Sequence, residues 1–106
     1  MVYKIIWSPD ARDDLRKIYA FYSDKSIIVA NKIVSDINSK TLFLTKQPFV
    51  AAIEPLLADD PRAFRSLLAF KGKFKILYYV DSGSVNITYV WNCKQDPKKI
   101  RKRSAR

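Results

Sequence analysis

The sequence has no histidine, and only two glycines and one cysteine, among its 106 residues. Without histidine the chain cannot form Ser-His-Asp or Cys-His nucleophile systems, or a zinc site with a histidine ligand. Gly72 and Gly83 do not make a glycine-rich phosphate-binding loop. Cys93 cannot form an internal disulfide, which fits a reducing cytoplasm, and its strand-like surroundings favour a packed thiol. Any chemistry must therefore rely on Lys, Arg, Tyr, Asp or Glu.

Long apolar runs are also missing. None approaches the roughly 20 residues that a membrane helix needs, and the N-terminus does not open with a basic segment followed by an apolar signal core. We therefore predict a cytoplasmic protein without membrane contact, and neither a cofactor nor a metal. A hydrophobic content of 48% and an aromatic content of 13% predict a folded globule, and the length predicts a single domain with a modest core.

Acidic residues are scarce in the second part of the chain. Residues 62–106 hold twelve of the 20 Lys/Arg but only two of the 10 Asp/Glu, so the net charge of +10 arises there. The cations alternate with strand-like apolar residues, as in Phe70–Val80. A folded sheet that carries cations attracts polyanions with a defined geometry. This pattern predicts a nucleic acid or an acidic protein as partner.

The first half of the sequence predicts a strand and two helices. Val2–Trp7 is rich in β-branched and aromatic residues, as strands are. Ser8-Pro9-Asp10 is typical of a helix start. Apolar residues then recur at helical spacing on one predicted buried face; they are Ala11, Leu15, Ile18, Tyr19 and Tyr22. A second apolar helical pattern runs from Ala30 to Leu44 and stops by Pro48. The two helices are predicted to form a hairpin with one apolar face to bury.

The second half predicts three antiparallel strands. After an irregular connection with three prolines, strands are expected at about 62–70, 74–80 and 84–93, joined by turns at Gly72 and Gly83. In the last strand, alternate residues from Val85 to Cys93 are apolar and predict one continuous core face. The predicted fold class is α+β: a mostly antiparallel four-stranded sheet with the helices on one face and the other face partly open. We assign residues 1–97 to one domain and residues 98–106 to a basic tail or short helix.

Strand alternation also predicts where the cations lie. Arg65, Lys75 and Lys94 are expected to converge on the open face of the sheet, flanked by Lys71 and Lys73. Such a cluster, with an aromatic hydroxyl, suffices for metal-free RNA cleavage through attack of the RNA 2′-hydroxyl. The same residues would serve a surface that binds phosphates without catalysis, or one that is merely solvated.

The candidate site residues fall into two sets. The candidate catalytic residues are Arg65, Lys75 and Lys94. The candidate nucleic-acid-binding residues are Lys71, Lys73, Lys98, Lys99 and Arg101.

Three segments resemble the RelE/ParE superfamily of type II toxin–antitoxin toxins, over about residues 3–100. Tyr3–Ala11 is similar to the family's opening strand and helix start, and Phe74–Val80 to its aromatic–basic–aliphatic strand. Val90–Pro97 resembles the end of the last strand in a ParE-like subgroup. The resemblance implies a small bacterial or archaeal toxin that a co-encoded antitoxin wraps and neutralises. RelE-like members cleave mRNA on the ribosome with basic residues of the sheet, whereas ParE-like members poison DNA gyrase.

Compared position by position, Arg65, Lys75 and Lys94 match places that are commonly basic in the family. Leu67 stands about where RelE-type ribonucleases tend to have a second sheet lysine, and no Tyr or His follows Lys94. Both departures favour a ParE-like or a divergent toxin over a RelE-type ribonuclease.

We therefore expect a toxin that acts on translation through mRNA cleavage or on DNA gyrase. Its partners would be a cognate antitoxin, in a toxin–antitoxin hetero-oligomer, and either the ribosome with its mRNA or gyrase. The alternative is a non-catalytic basic module that binds nucleic acid. A purely structural dimerisation domain fits the helix hairpin but leaves the charge asymmetry unexplained.

Overall fold

The computed structural model describes residues 2–104, and it confirms the predicted fold class and element order. The elements are β1 (Lys4–Trp7), α1 (Pro9–Ser23), α2 (Ile27–Phe43), a 3₁₀ helix (Pro55–Leu57), β2 (Arg65–Ala69), β3 (Phe74–Asp81), β4 (Ser84–Asn92) and α3 (Lys98–Ser104). None of the helices in the described part of the chain is long and apolar enough to cross a membrane.

Helix α1 begins at the predicted signal. Ser8 is extended, and its Oγ accepts a hydrogen bond from the Ala11 backbone N–H at 3.0 Å while Pro9 opens the helix. A serine cap of this kind stabilises a helix by roughly 1 kcal/mol. The Ser8 hydroxyl also donates to the Thr88 carbonyl oxygen at 2.7 Å, so the cap ties α1 to β4. The first turn of α1 is therefore held by its own cap and by a hydrogen bond to the sheet.

The four strands form one mixed sheet in the order β1-β4-β3-β2. β1 pairs parallel with β4, and the remaining pairs are antiparallel. The turn between β3 and β4 places Ser82 and Gly83 at φ 50° and 78°. Two successive positive φ values are the backbone of the tight hairpin turn that favours glycine at its second central position. This turn sets the pairing of β3 with β4, which are the two central strands of the sheet.

A β-bulge divides β4 into two parts that face opposite ways. Tyr78 pairs with Ile87 but Leu77 pairs with Tyr89, which leaves Thr88 as the extra residue. Val85 and Ile87 therefore face the helices, whereas Tyr89 and Trp91 face the other side of the sheet. The prediction of one continuous core face from Val85 to Cys93 is wrong, because the bulge shifts the alternation by one residue.

The sheet has a core on each face. Ile33, Ile37, Ile76 and Tyr78 belong to the core under α1 and α2. On the other side a second buried cluster forms beneath the 3₁₀ helix and α3; its members are Leu57, Phe64, Leu77, Tyr89, Trp91 and Ile100. The prediction that this face is partly open is therefore wrong where β3 and β4 are covered.

The segment before β2 produces this cover by wrapping around the sheet edge. Ala51 packs in the helix-side core, Ile53 pairs with Arg65 at the edge, and Leu57 packs on the opposite face. The chain crosses from one face to the other within a few residues. It thereby protects part of β2, which would otherwise be an open edge strand.

The basic C-terminal segment includes a packed helix. Ile100 of α3 is only 1% exposed and lies in the second core. Residues 105 and 106 of the predicted tail lie outside the described residues.

Candidate functional site

The three candidate catalytic residues do not converge. Residues directly opposite each other in an antiparallel pair share a face. Arg65 lies opposite Tyr78 and therefore on the helix side, whereas Lys75 lies opposite Trp91 on the other side. Lys94 lies beyond the end of β4 in an exposed turn. The prediction that these three residues converge is wrong. The face on which each residue lies depends on the strand register and on the bulge in β4, which the alternation pattern does not contain.

Arg65 is engaged by backbone oxygens at the edge of the sheet. Its Nη1 donates to the Ala51 carbonyl at 2.6 Å and to the Phe49 carbonyl at 3.3 Å, and its guanidinium lies 5.2 Å from the Phe49 ring centroid. Nearby, the buried Tyr78 hydroxyl donates to the Pro48 carbonyl at 2.8 Å, and burial raises the pKa of Tyr78. Arg65 thus holds the wrapping segment against β2.

Lys75 forms an ion pair with a buried carboxylate. Its Nζ lies 2.6 Å from Glu54 Oε1, and the side chains of Lys75 and Glu54 are 26% and 1% exposed. Burial by itself raises the pKa of Glu54, but hydrogen bonds from Lys75 and from the Leu56 N–H outweigh it and hold that pKa below its ordinary value. The ammonium of Lys75 therefore donates to, and is neutralised by, a carboxylate of the wrapping segment.

Arg62 is paired in the same way above the second core. Its Nε and Nη2 donate to the two carboxylate oxygens of Asp60 at 3.0 Å and 2.8 Å, which lowers the pKa of Asp60. The guanidinium also stacks over Phe64, 4.6 Å from the ring centroid. These two parallel hydrogen bonds fix the orientation of the guanidinium relative to the carboxylate.

Arg103 anchors the end of α3 to α1. Its Nη2 donates to Asp14 Oδ1 at 2.8 Å, and its guanidinium lies 4.1 Å from the Tyr89 ring centroid. Asp14 also accepts the Val90 N–H at 3.0 Å. Burial raises the pKa of Asp14 despite the opposing effects of Arg103 and Val90. The C-terminal cations were predicted as one set without this ion pair, because Asp14 and Arg103 lie far apart in the chain.

The candidate nucleic-acid-binding residues lie at one end of the sheet and on α3. Lys71 and Lys73 are in the turn between β2 and β3, and Lys98 and Lys99 lie on the exposed side of α3. All four are exposed, and the structure gives none of them an ion pair among residues 2–104. Arg101 differs, because its Nη2 lies 2.5 Å from Asp59 Oδ2.

Cys93 is exposed at the end of β4, so the prediction of a packed core thiol is wrong. Partial desolvation raises the pKa of its thiol, while Lys75 acts in the opposite direction. A thiol with a raised pKa is not an activated nucleophile. Among residues 2–104, no three Cys, Asp or Glu side chains come together as a metal site.

An apolar groove between the helices was not predicted. A groove of about 510 Å³ lies between α1 and α2. Its apolar lining comes from Trp7, Leu15, Tyr19 and Val34, and Arg12 and Arg16 border it. Helical periodicity assigned Leu15 and Tyr19 to the buried face of α1. Tyr19 is in fact 37% exposed, and Val34 extends the apolar surface on α2 beyond the core positions. The available signal was the position of Tyr19 and Val34, which are apolar side chains next to the core positions Ile18 and Ile33.

Comparison with known proteins identifies a family and a shared fold. A family model described as "ParE toxin of type II toxin-antitoxin system, parDE" matches residues 5–97. A solved structure titled "Chromosomal ParDE TA system from P. aeruginosa" superposes with a TM-score of 0.71 at 23% identity, covering 86% of this chain and 96% of that chain. No curated protein matches the sequence significantly. At this identity the structural match establishes a shared fold.

Proposed function

Because the chain belongs to the ParE toxin family of type II toxin–antitoxin systems, we propose that it arrests growth by binding DNA gyrase and does not itself cleave mRNA. The observation that carries this choice is the pairing of the sheet-face cation Lys75 with the buried Glu54. Arg62 and Arg103, which border the same face, are also paired with carboxylates.

RNA cleavage without a metal needs cations that are free to stabilise the phosphoryl oxygens and a group that accepts the 2′-hydroxyl proton. A phosphate that approached Lys75 would have to compete with the charge of Glu54, whose side chain is 1% exposed and lies 2.6 Å from Lys75 Nζ. Arg65, the second candidate, lies on the other side of the sheet and donates to two carbonyl oxygens. This arrangement supports a toxin that acts by binding rather than by catalysis on the sheet.

The first test separates the two targets in a growing bacterium. Induced expression of the chain without its antitoxin should stop growth and produce double-strand breaks in plasmid DNA, because a poisoned gyrase leaves its DNA cleaved. Primer extension on abundant messages should show full-length mRNA at the onset of arrest. Fragmented mRNA with intact plasmid would contradict the proposal, and unimpeded growth would remove the toxin function altogether.

The family implies a cognate antitoxin, and the groove between α1 and α2 suits it. An exposed apolar groove of this size on a small protein is typical of a binding site for another chain. Arg12 and Arg16 border it, and Arg16 also pairs with the carboxylate of Asp13. An amphipathic segment with acidic residues flanking its apolar side chains therefore fits the apolar lining of the groove and above all the charge of Arg12. The antitoxin is therefore proposed to bind in this groove between α1 and α2.

Reversal of the groove charges should impair neutralisation. The double substitution Arg12→Glu and Arg16→Glu is expected to weaken antitoxin binding by at least ~10-fold, because acidic side chains would then face acidic side chains. Isothermal titration calorimetry measures the affinity, and co-expression measures the loss of protection. Lys32→Glu with Lys46→Glu is the matched control, since it makes the same charge change at exposed sites that do not line the groove. Equal affinities for both double variants would contradict the assignment.

A further inference from the structure

Six lysines form a strongly basic surface at one end of the sheet and along α3. All six are exposed, and the structure shows no ion pair for any of them among residues 2–104. We call them the basic rim; they are Lys71, Lys73, Lys94, Lys98, Lys99 and Lys102. They stand in contrast to Lys75, Arg62 and Arg103, whose charges are matched by carboxylates.

The first three lysines are carried on a fixed backbone. The Cys93 N–H donates to the Lys73 carbonyl oxygen at 3.0 Å, so the turn before β3 and the chain after β4 are joined. The Lys94 N–H donates to Asn92 Oδ1 at 2.9 Å, which shapes the turn that presents its side chain. Lys71, Lys73 and Lys94 therefore lie close together at one end of the sheet.

The other three lie on a docked helix that starts a few residues later. Asp96 Oδ1 accepts a hydrogen bond from the Lys98 backbone N–H at 3.0 Å at the start of α3. Asp96 is the carboxylate nearest to these lysines in the sequence, and this bond joins it to the backbone rather than to a lysine side chain. Lys98 and Lys102 are four residues apart and thus on one side of the helix. Ile100 lies between them in the sequence and is buried, so the side of α3 that carries Lys98 and Lys102 faces solvent. The six lysines are therefore carried on a turn, a strand end and a packed helix, with side chains that are free to reach a ligand.

We propose that the basic rim binds the phosphate backbone of duplex DNA. Lysine side chains of one sign with no carboxylate partners are the electrostatic signature of a phosphate-contact surface. Proteins that hold single strands add exposed aromatic rings on which unpaired bases stack. Of the aromatic residues near the rim, Phe74 and Trp91 are buried, and Lys73 Nζ lies over the half-buried Phe70 ring at 5.7 Å. Phe21 is exposed and lies beside Asn92 and Gln95, but Lys25 Nζ stands 4.6 Å from its ring centroid, and one ring does not make a row of stacking platforms. The rim thus suits a regular phosphate backbone and no particular base sequence.

This inference rests on the proposed function only for the identity of the DNA, which would be the segment that gyrase holds. The toxin would then contact protein and DNA together in the gyrase complex. The DNA contact itself is independent of gyrase, and it is tested without gyrase.

The test is fluorescence anisotropy of the full chain with a labelled duplex of about 20 base pairs, over a series of salt concentrations. The logarithm of the affinity should fall linearly with the logarithm of salt, with a slope of about −0.9 for each phosphate contact. The triple variant Lys71→Ser, Lys73→Ser and Lys94→Ser should lose at least ~10-fold in affinity at low salt and reduce the slope by about 2–3. The control triple variant is Lys4→Ser, Lys32→Ser and Lys46→Ser, which removes the same charge from exposed positions outside the rim.

Equal loss of affinity in both triple variants would overturn the assignment of the rim, and so would tighter binding to single-stranded RNA of the same length. A wild-type chain that poisons gyrase but does not bind duplex DNA overturns this inference alone. A chain that binds duplex DNA through the rim but leaves gyrase unaffected supports the inference and contradicts the proposed function.

Discussion

Substitution of Glu54 by glutamine should lower the free energy of unfolding by about 3–5 kcal/mol, because it leaves the Lys75 ammonium partly buried without a counter-charge. Glu54 is 1% exposed and holds Lys75 at 2.6 Å, so solvent does little to screen the pair. A loss of this size is a large fraction of the ~5–15 kcal/mol that stabilises a typical domain. Urea unfolding followed by circular dichroism measures it.

The paired substitution Glu54→Leu with Lys75→Met tests what the ion pair does. Replacement of a buried ion pair by apolar side chains of similar volume is often neutral or stabilising. We therefore expect the double variant to fold and to arrest growth as the wild type does. A double variant that folds with wild-type stability but has lost its toxicity would show that Lys75 acts on the target, and would contradict the structural role proposed for it.

The same pair predicts a pH dependence. The pKa of Glu54 is lower in the folded chain than its ordinary value, so the ionised carboxylate favours folding. This contribution is fully present above the pKa of an unfolded glutamate, about 4.3, and is lost as the pH falls through the lower folded value. The wild type should therefore lose stability below about pH 4 more steeply than Glu54→Gln, which has no carboxylate at this position.

Truncation of Ile100 to alanine should cost about 2–5 kcal/mol and uncover the second core, because a large buried aliphatic side chain is removed. Ile100 is 1% exposed and shares that core with Trp91. In a Trp7→Phe background, Trp91 is the only tryptophan, and its emission should shift to longer wavelength when α3 detaches. Lys102→Ala is the matched control, since it alters an exposed position on the same helix. Unchanged stability and emission in the Ile100 variant would mean that α3 does not pack on the sheet.

Local signals in the sequence were sufficient for the element order. The Ser8-Pro9 start of α1 and the turn at Gly83 depend on residues adjacent in the chain, and both are found where they were predicted. The resemblance of three short segments to the RelE/ParE superfamily is matched by the family model over residues 5–97. The fold class could therefore be predicted from residue preferences over short stretches of the chain and from the resemblance to a known family.

The arrangement of the candidate site depended on long-range features that periodicity does not contain. The bulge at Thr88 reverses the faces of Tyr89 and Trp91, and no local residue preference marks it. The segment from Ala51 to Leu57 crosses the sheet edge and supplies Glu54 to Lys75, a partner 21 positions away in the chain. A lysine or arginine looks the same in the sequence whether or not a carboxylate pairs with it. Only the fold therefore distinguishes the basic rim from the paired residues.

The molecule on which the toxin acts can be identified with purified components. The decisive measurement incubates the purified chain with gyrase, ATP and supercoiled plasmid, and then releases cleaved DNA with detergent and protease. We predict linear plasmid that increases with toxin concentration, requires gyrase, and disappears when the cognate antitoxin is added first. Normal supercoiling and no linear product at a molar excess of folded toxin, with cut mRNA in a translating extract containing the same sample, would contradict the account.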